Sequence, residues 1–403
     1  MNDAPRRALV IGGGIAGPAV ALFLARAGIE PVVLEAYPRT EAVGGGFQIA
    51  PNGLRVLAEL GLADTLLAQG HPCADMAFRN HHGRLIGVVR TGRAGKAVNI
   101  LRAHVHQALR DEAVRRGIEV RYDKRLASVT EAGKTVVATF EDGTTEVGDF
   151  LVGADGVHSR VRTCILPQAA APRDTQMVSI GGFCEADVTP PPDAADAARL
   201  TFMVGPRFQL GYSKMSATRW GWWCHAHAAN ADERQTLMAM PFHALRDRML
   251  ERYRGWSAQA LELIAKTEAW LRTPIHDVPI LPTWRGSRVL LLGDAAHAMS
   301  PAGGQGASLA LEDAMLFGRL AADRTMPIEG AMARFEAMRR GRAEKMVAQG
   351  FDNDRRSLKE LGPMGLWMRD RVMMPVFVSF IERALNEVYA APMAWPAQPA
   401  RPG

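Results

Sequence analysis

The most constraining residues in this chain stand near its beginning. In ALVIGGGIAGPAVALFLARAG, from Ala8 to Gly28, an apolar run meets three consecutive glycines and passes into an apolar segment with helical spacing. Gly12, Gly14 and Gly17 fall in G-x-G-x-x-G order, and a second apolar run, PVVLE, ends at Glu35. Strand, tight turn, helix and strand in this order predict a parallel sheet buried under helices. The three glycines have separable duties: the first permits the turn, the second lets backbone approach a diphosphate, and the third lets the helix pack on the strand. The helix start, with Ile15 and Ala16, offers free N–H groups and the positive end of a helix dipole to an anion. Glu35 stands where the hydroxyls of a ribose would be met.

A chain of 403 residues is too long for one simple core and suits two or three packed units. Its 22% charged residues and net charge of +6 are scattered, which argues against nucleic-acid binding. The basic stretch RFEAMRRGRAEK, Arg334 to Lys345, reads as a solvated helix face. Cys73, Cys164, Cys184 and Cys224 lie far apart, in no metal-ligand spacing, so reduced thiols and no metal are expected. The N-terminus runs into a strand without a secretory h-region, and no apolar run approaches the ~18 residues of a membrane span. A cytoplasmic protein with no membrane partner is the expectation.

Two further stretches carry strand–loop–helix character. GADGVHSRVR, Gly153 to Arg162, follows the strand DFLV and brings Asp155 to a strand's carboxyl end. On its own, "DG" there is only a turn. LLLGDAAHAMSPAGGQGASLALEDA ends an apolar strand at Gly293 and Asp294, turns at Pro301, and opens a helix through Gly303, Gly304, Gln305, Gly306 and Ala307. A carboxylate at the sheet edge is suited to accept from sugar hydroxyls, and exposed N–H groups at the helix start can stabilise an electron-rich ring oxygen. Between these motifs, TFMVGPRFQLGYSK and TRWGWWCHAHA are β-rich and aromatic, which predicts an inserted, mainly antiparallel sheet.

With the three motifs in this order, the chain resembles the FAD-dependent aromatic monooxygenases of the para-hydroxybenzoate hydroxylase type, which include salicylate-hydroxylase-like and tetracycline-inactivating enzymes. The resemblance runs from about residue 6 to about residue 345. It rests on Gly12, Gly14 and Gly17; on Asp155, Gly156, Ser159 and Arg162; and on Gly293, Asp294, Ala295, His297, Pro301, Gly304 and Gly306. It implies an α/β fold: a Rossmann-like FAD-binding domain in three segments (1–75, 98–173 and 281–345), an inserted substrate sheet (76–97 and 174–280) and C-terminal helices with a tail (346–403). It further implies FAD with its adenosine toward Glu35, its ribityl chain beside Asp294 and its ring near Pro301 to Gly306. Arg102 matches the arginine that reaches the flavin nucleotide, Gly44 to Gly53 the segment beside the ring, and Asp155 the motif used near the diphosphate and for the nicotinamide. One departure is Ala307-Ser308, where the motif often has Asn; a hydroxyl can make a similar contact.

The implied reaction is single-component. NADPH or NADH, a transient co-substrate, reduces the flavin, O2 adds at C4a, and the hydroperoxide hydroxylates an electron-rich aromatic or polyketide-like molecule. No catalytic side chain is required, and none is assigned; His297 reads as structural rather than catalytic. The absence of a second G-x-G-x-x-G after a strand fits a nicotinamide admitted transiently. A flavin-dependent halogenase is the strongest enzymatic rival, although RWGWWCHAHA lacks the Ile-Pro of the W-x-W-x-I-P stretch. A saturating reductase is a lesser rival, and a flavin-binding regulatory protein without turnover is the alternative of another class.

Substrate walls are expected from the inserted sheet. Trp220, Trp222 and Cys224 share one strand face, and Trp223, His225 and His227 the other; which of them covers the substrate is open. Phe183, Met203, Gln209 and Trp222 are the candidate substrate residues. The apolar helical stretch MGLWMRDRVMMPVFVSFIERAL reads most simply as core packing, with a lean across the pocket or a dimer face as alternatives. Monomer and homodimer are both compatible with the chain.

Overall fold

The first strand, Arg7–Ile11, is the third of five in a parallel sheet whose order is Val289–Leu291, Phe150–Gly153, Arg7–Ile11, Glu30–Leu34 and Glu119–Arg121. The computed structural model describes residues 6–39, 44–185, 194–301, 304–357 and 360–390. Near-continuous apolar strands are what a sheet buried on both faces requires, and Ala8 to Ile11, Phe150 to Val152 and Val289 to Leu291 are all buried. The helix Ala16–Arg26 covers one side, seated against the helix Gly306–Ala321. Gly318 makes this possible, since a Cβ there would stand 2.5 Å from that of Phe23.

The inserted sheet has seven strands, ordered Ala269–Asp277, Arg173–Glu185, Arg219–His227, Gln209–Lys214, Arg199–Val204, Asp75–Asn80 and Leu85–Val89. All neighbours are antiparallel except Arg199–Val204 with Asp75–Asn80. Helices Ala231–Ala239, Phe242–Arg252 and Ala258–Ala265 cover one face and bury Ile180, Met203, Tyr212, Trp220, Trp222 and Cys224. Between the two large sheets lies a third, in which Ala97–Leu101 is flanked by Gly46–Ile49 and His71–Cys73. Ile49, Val98 and Ile100 point into the core of the parallel sheet, which turns Gly46, Gln48, Ala97 and Asn99 toward the seven-stranded one.

The segment from Pro51 forms two helices, Pro51–Glu59 and Ala63–Gln69, with Gly61 at a φ of +79° between them. Two expectations are corrected. The basic stretch 334–345 is not simply a solvated face, since Arg339 is buried among carboxylates. The C-terminal apolar stretch is core on one side only: Met374 and Val378 pack on Ile86 and Val89, while Val376 and Phe380 are 72% exposed. The tail APMAWPAQPARPG lies outside the described residues. No helix among the described residues is long and apolar enough to cross a membrane.

Candidate active site

The glycine turn separates its three duties in space. Gly12 has a φ of +108°, and a Cβ on it would stand 2.4 Å from the carbonyl oxygen of Ala154. A Cβ on Gly17 would stand 1.8 Å from the oxygen of Gly12, so only glycine lets the helix sit this close. Around Gly14 there is nothing within 4 Å. Two closed positions and one open one make a backbone cradle at a helix N-terminus, the form a diphosphate requires. Ile15 and Ala16 provide the start of that helix.

Glu35 fixes the loop as well as facing the site. Its carboxylate accepts from the Gly13 N–H at 2.5 Å and the Tyr37 N–H at 2.9 Å. From the other side His106, on the helix Arg102–Arg115, donates from Nε2 to the Gly13 oxygen at 2.5 Å. Burial lowers the pKa of His106, which keeps the ring neutral. One turn earlier, Arg102 is exposed, lies against Gly44, and its guanidinium has no partner among the described residues. A free cation beside the glycine turn fits a diphosphate.

Asp155 is held within its own motif. Its carboxylate accepts from Ser159 Oγ at 2.5 Å and from the N–H groups of Arg160 and Val161 at 2.7 and 3.0 Å. It therefore stabilises the start of the helix Arg160–Ile165, and only its backbone borders Gly12. Arg162 then ties this motif to the next, donating to the carbonyls of Ala295 at 2.8 Å and Val157 at 2.6 Å.

Gly293 (φ +58°) ends the strand, and Asp294 opens the short helix Asp294–His297. Asp294 is half-buried, its carboxylate has no partner among the described residues, and a Cβ on Gly306 would stand 3.9 Å from its Oδ1 across the loop. Pro301, Gly304, Gln305, Gly306 and Ala307 form the loop and first turn of the helix Gly306–Ala321; Gly303 lies outside the described residues. Gln305 is buried and accepts from Asn52 Nδ2 at 3.3 Å. Ser308 Oγ, in the place of the departure from the motif, is buried beside Gly53 and is unpartnered.

Beneath this loop lies a charged network that the motifs did not reveal. Arg339 donates to Asp313 Oδ1 at 2.6 Å and to Glu312 Oε2 at 2.7 Å, and all three are buried. Asp313 also meets His297 Nε2 at 2.6 Å and the Gly293 N–H at 3.1 Å. Glu312 accepts from Asn52 Nδ2 at 2.7 Å and Arg342 at 3.2 Å. Burial opposes the charge on Asp313, but Arg339, His297 and the Gly293 N–H outweigh it and hold its pKa low. The network clamps the Asp294 turn, the 304–308 loop and the segment at Asn52 to one another. His297 is a member of it, in a positioning role. A glutamate–aspartate pair inside an otherwise apolar helix was the available sequence signal.

The inserted sheet settles which tryptophan faces where. Trp222 lies in the helix-covered core and donates from Nε1 to Thr267 Oγ1 at 2.7 Å. Met203 lies in that core too, with Ser257 Oγ 3.7 Å from its sulfur. Both side chains are enclosed between the sheet and its helices. Trp223 occupies the opposite face, with Phe202 edge-on at 6.0 Å, and its indole closes over Gly211. Phe183 shares this face and meets Met215 over Gly221, while Met215 reaches across to Gly46. Gln209 is on this face as well, and its backbone carbonyl accepts from the Tyr253 hydroxyl at 2.8 Å. At the rim, Leu101, His104, Glu185, Met215, Ser216, Thr218 and Arg219 line a cleft of about 170 Å³. That is too small for a whole fused-ring ligand, for which several hundred Å³ is usual. Among the described residues no cluster of His, Cys, Asp or Glu is placed to hold a metal.

A family model described as an FAD binding domain matches residues 6–349, most of the chain. The chain belongs to this family of FAD-dependent aromatic monooxygenases. The monooxygenase is 31% identical to the FAD-dependent urate hydroxylase of Klebsiella oxytoca over 354 residues, 85% of this chain and 88% of the relative. It is 31% identical to the 3-amino-4-hydroxybenzoate 2-monooxygenase of Streptomyces cremeus over 348 residues, 84% of each chain. The structure of Klebsiella pneumoniae HpxO complexed with FAD and uric acid superposes with a TM-score of 0.82 at 25% identity, covering 96% of this chain and 98% of that one. The residues of the monooxygenase fit FAD on their own geometry: an open Gly14 between two closed glycines, an Arg102 and an Asp294 without partners among the described residues, and a glycine-led helix start.

Proposed function

We propose that this monooxygenase uses NAD(P)H and O2 to hydroxylate a small, flat, electron-rich aromatic without a carboxylate, held between the flavin ring and the inserted sheet. One observation carries the substrate class. The middle of the sheet face opposite its helices bears Phe183, Phe202, Met215 and Trp223 with His225, and among the described residues no Asp, Glu, Lys or Arg; the Glu185–Arg219 pair stands at the rim. An ionised carboxylate set against that wall would lose its hydration without gaining a cation.

Bound FAD supplies the reduction by NAD(P)H and the activation of O2. The chain's own residues bind and orient. Gly12, Gly14, Gly17 and the helix start at Ile15 and Ala16 hold the diphosphate, assisted by Arg102; the lone pairs of Glu35 not used by Gly13 and Tyr37 accept from the adenosine ribose. Asp294 accepts from the ribityl chain. The N–H groups at Gly306 and Ala307 favour negative charge on the ring's polar edge. Phe183, Met215 and Trp223 exclude water from the ring's substrate side.

The test is substrate-stimulated NADPH oxidation with product analysis, using phenols, indoles and hydroxyquinolines in pairs with and without a carboxylate. Turnover of the neutral member, with Trp223→Ala raising its KM about tenfold or more from lost aromatic burial, supports the reading. Preference for the carboxylated member, or a Trp223→Ala variant identical to the parent, overturns it.

A further inference from the structure

The helices Pro363–Met368 and Met374–Tyr389, joined through a π-turn at Arg369–Met373, are apolar on both sides. One side packs on the Leu85–Val89 strand through Met374, Val378, Ile381 and Leu385. The other exposes Met364 (79%), Trp367, Met368, Val372, Met373, Val376, Phe377 and Phe380. A straight α-helix would carry the first three on to Pro375 and Val378, yet Val378 is buried. The wider turn shifts the phase, so the exposed residues continue as one stripe. With aromatic side chains at roughly 150–250 Å² each, the stripe offers on the order of 900 Å². That exceeds the roughly 300–600 Å² of the largest patch on an ordinary monomer and matches the about 800 Å² per partner of a standard interface.

We propose that this stripe is the interface of a homodimer, two copies packing antiparallel about a two-fold axis at Val372. The positions of the stripe are symmetric about that residue. The axis sets Met364 opposite Phe380, Trp367 opposite Phe377 and Met368 opposite Val376 of the second copy, and Val372 opposite itself. It also brings Arg383, 84% exposed and paired only with Glu387 in its own chain, beside the exposed Glu360 of the second copy. A two-fold interface must be self-complementary in this way. A lipid surface fits less well. Arg369, Arg371 and Arg383 are balanced by Asp370, Glu382 and Glu387, which leaves no net positive charge to draw the helix to anionic headgroups.

The experiment uses the full, FAD-loaded chain. Sedimentation velocity at micromolar concentration is expected to show a dimer. Phe380→Asp and Val376→Asp, each burying an unpaired carboxylate, weaken it by about a hundredfold or more with the flavin spectrum unchanged. Val372→Cys forms an intermolecular disulfide under mild oxidation that the parent, carrying only its four native cysteines, does not form. A monomeric parent overturns the proposal, as does a dimer indifferent to both aspartates or a Val372→Cys chain that never crosslinks. A monomer that floats with phosphatidylcholine vesicles assigns the stripe to lipid and overturns it equally.

Discussion

Replacing Arg339 with Met tests whether the buried network holds the flavin loop. The substitution keeps most of the side chain's apolar volume and removes the one cation that meets both Glu312 and Asp313, each fully buried. Breaking a buried pair from one side costs about 3–5 kcal/mol, because the remaining charge is left uncompensated. For a chain of this size the loss corresponds to a fall in Tm of roughly 3–6 °C. The pH dependence gives a second reading. In the parent, Asp313 has a lowered pKa despite its burial, so its contribution is fully present above the ordinary carboxylate pKa of about 3.9 and is lost as pH falls through the folded value. Without Arg339, burial dominates and raises that pKa; stability then persists below about 3.9 and is lost as pH rises through the new value. The gap between parent and variant is therefore wide at neutral pH and narrows on acidification. Thermal unfolding followed by flavin fluorescence and by far-UV circular dichroism, from neutral to acidic pH, reads both effects. Flavin release is expected to lead the loss of secondary structure in the variant. Adding Glu312→Gln and Asp313→Asn recovers most of the deficit, since the uncompensated charges are gone. An Arg339→Met variant within about 1 kcal/mol of the parent at neutral pH, or a gap that widens in acid, would refute the reasoning.

Asp294→Ala and Arg102→Ala each weaken FAD binding roughly tenfold to a hundredfold, the worth of a charge-assisted hydrogen bond of about 1.5–3 kcal/mol, in a fluorescence titration of apoprotein; parental affinity in both would displace the ribityl and diphosphate assignments. Gly14→Ala and Gly17→Ala should part company: the first, in open space, keeps the Tm of the parental apoprotein and loses FAD, whereas the second, whose Cβ would stand 1.8 Å from the Gly12 oxygen, fails to accumulate as folded protein. Trp222→Phe leaves Thr267 without its donor and lowers stability by about 1–2 kcal/mol with KM unchanged, the reverse of Trp223→Ala, as urea titration and steady-state kinetics would report.

How much of this was legible from the residues varies with the range of the interaction. The glycine turn and Glu35 are local, and their geometry follows from spacing that any strand–turn–helix imposes. The parity of the RWGWWCHAH strand was equally local, but its sidedness was not. Both faces are aromatic, and only the helices at 231–265 decide that Trp222 is core and Trp223 is not. Asp155 stands at the expected strand end, and its hydrogen bonds to the N–H groups of Arg160 and Val161 were not legible from the motif alone. The network at Arg339 joins residues from Asn52 to Arg342, and no local pattern distinguishes a buried arginine from the solvated ones beside it. The C-terminal stripe misled for a simpler reason: an apolar helix predicts a covered surface without saying which molecule covers it.

The proposal that this monooxygenase hydroxylates a neutral aromatic against the Phe183–Met215–Trp223 wall is tested most directly with isotopically labelled O2. The purified FAD-loaded enzyme is given NADPH, labelled O2 and the neutral ring that most accelerates NADPH consumption, and the product is weighed by mass spectrometry. One labelled oxygen atom on the ring, absent when the label is in water, is the predicted result. A product whose new oxygen comes from water, or NADPH consumption that ends only in peroxide with every neutral aromatic while a carboxylated ring is hydroxylated, would contradict it.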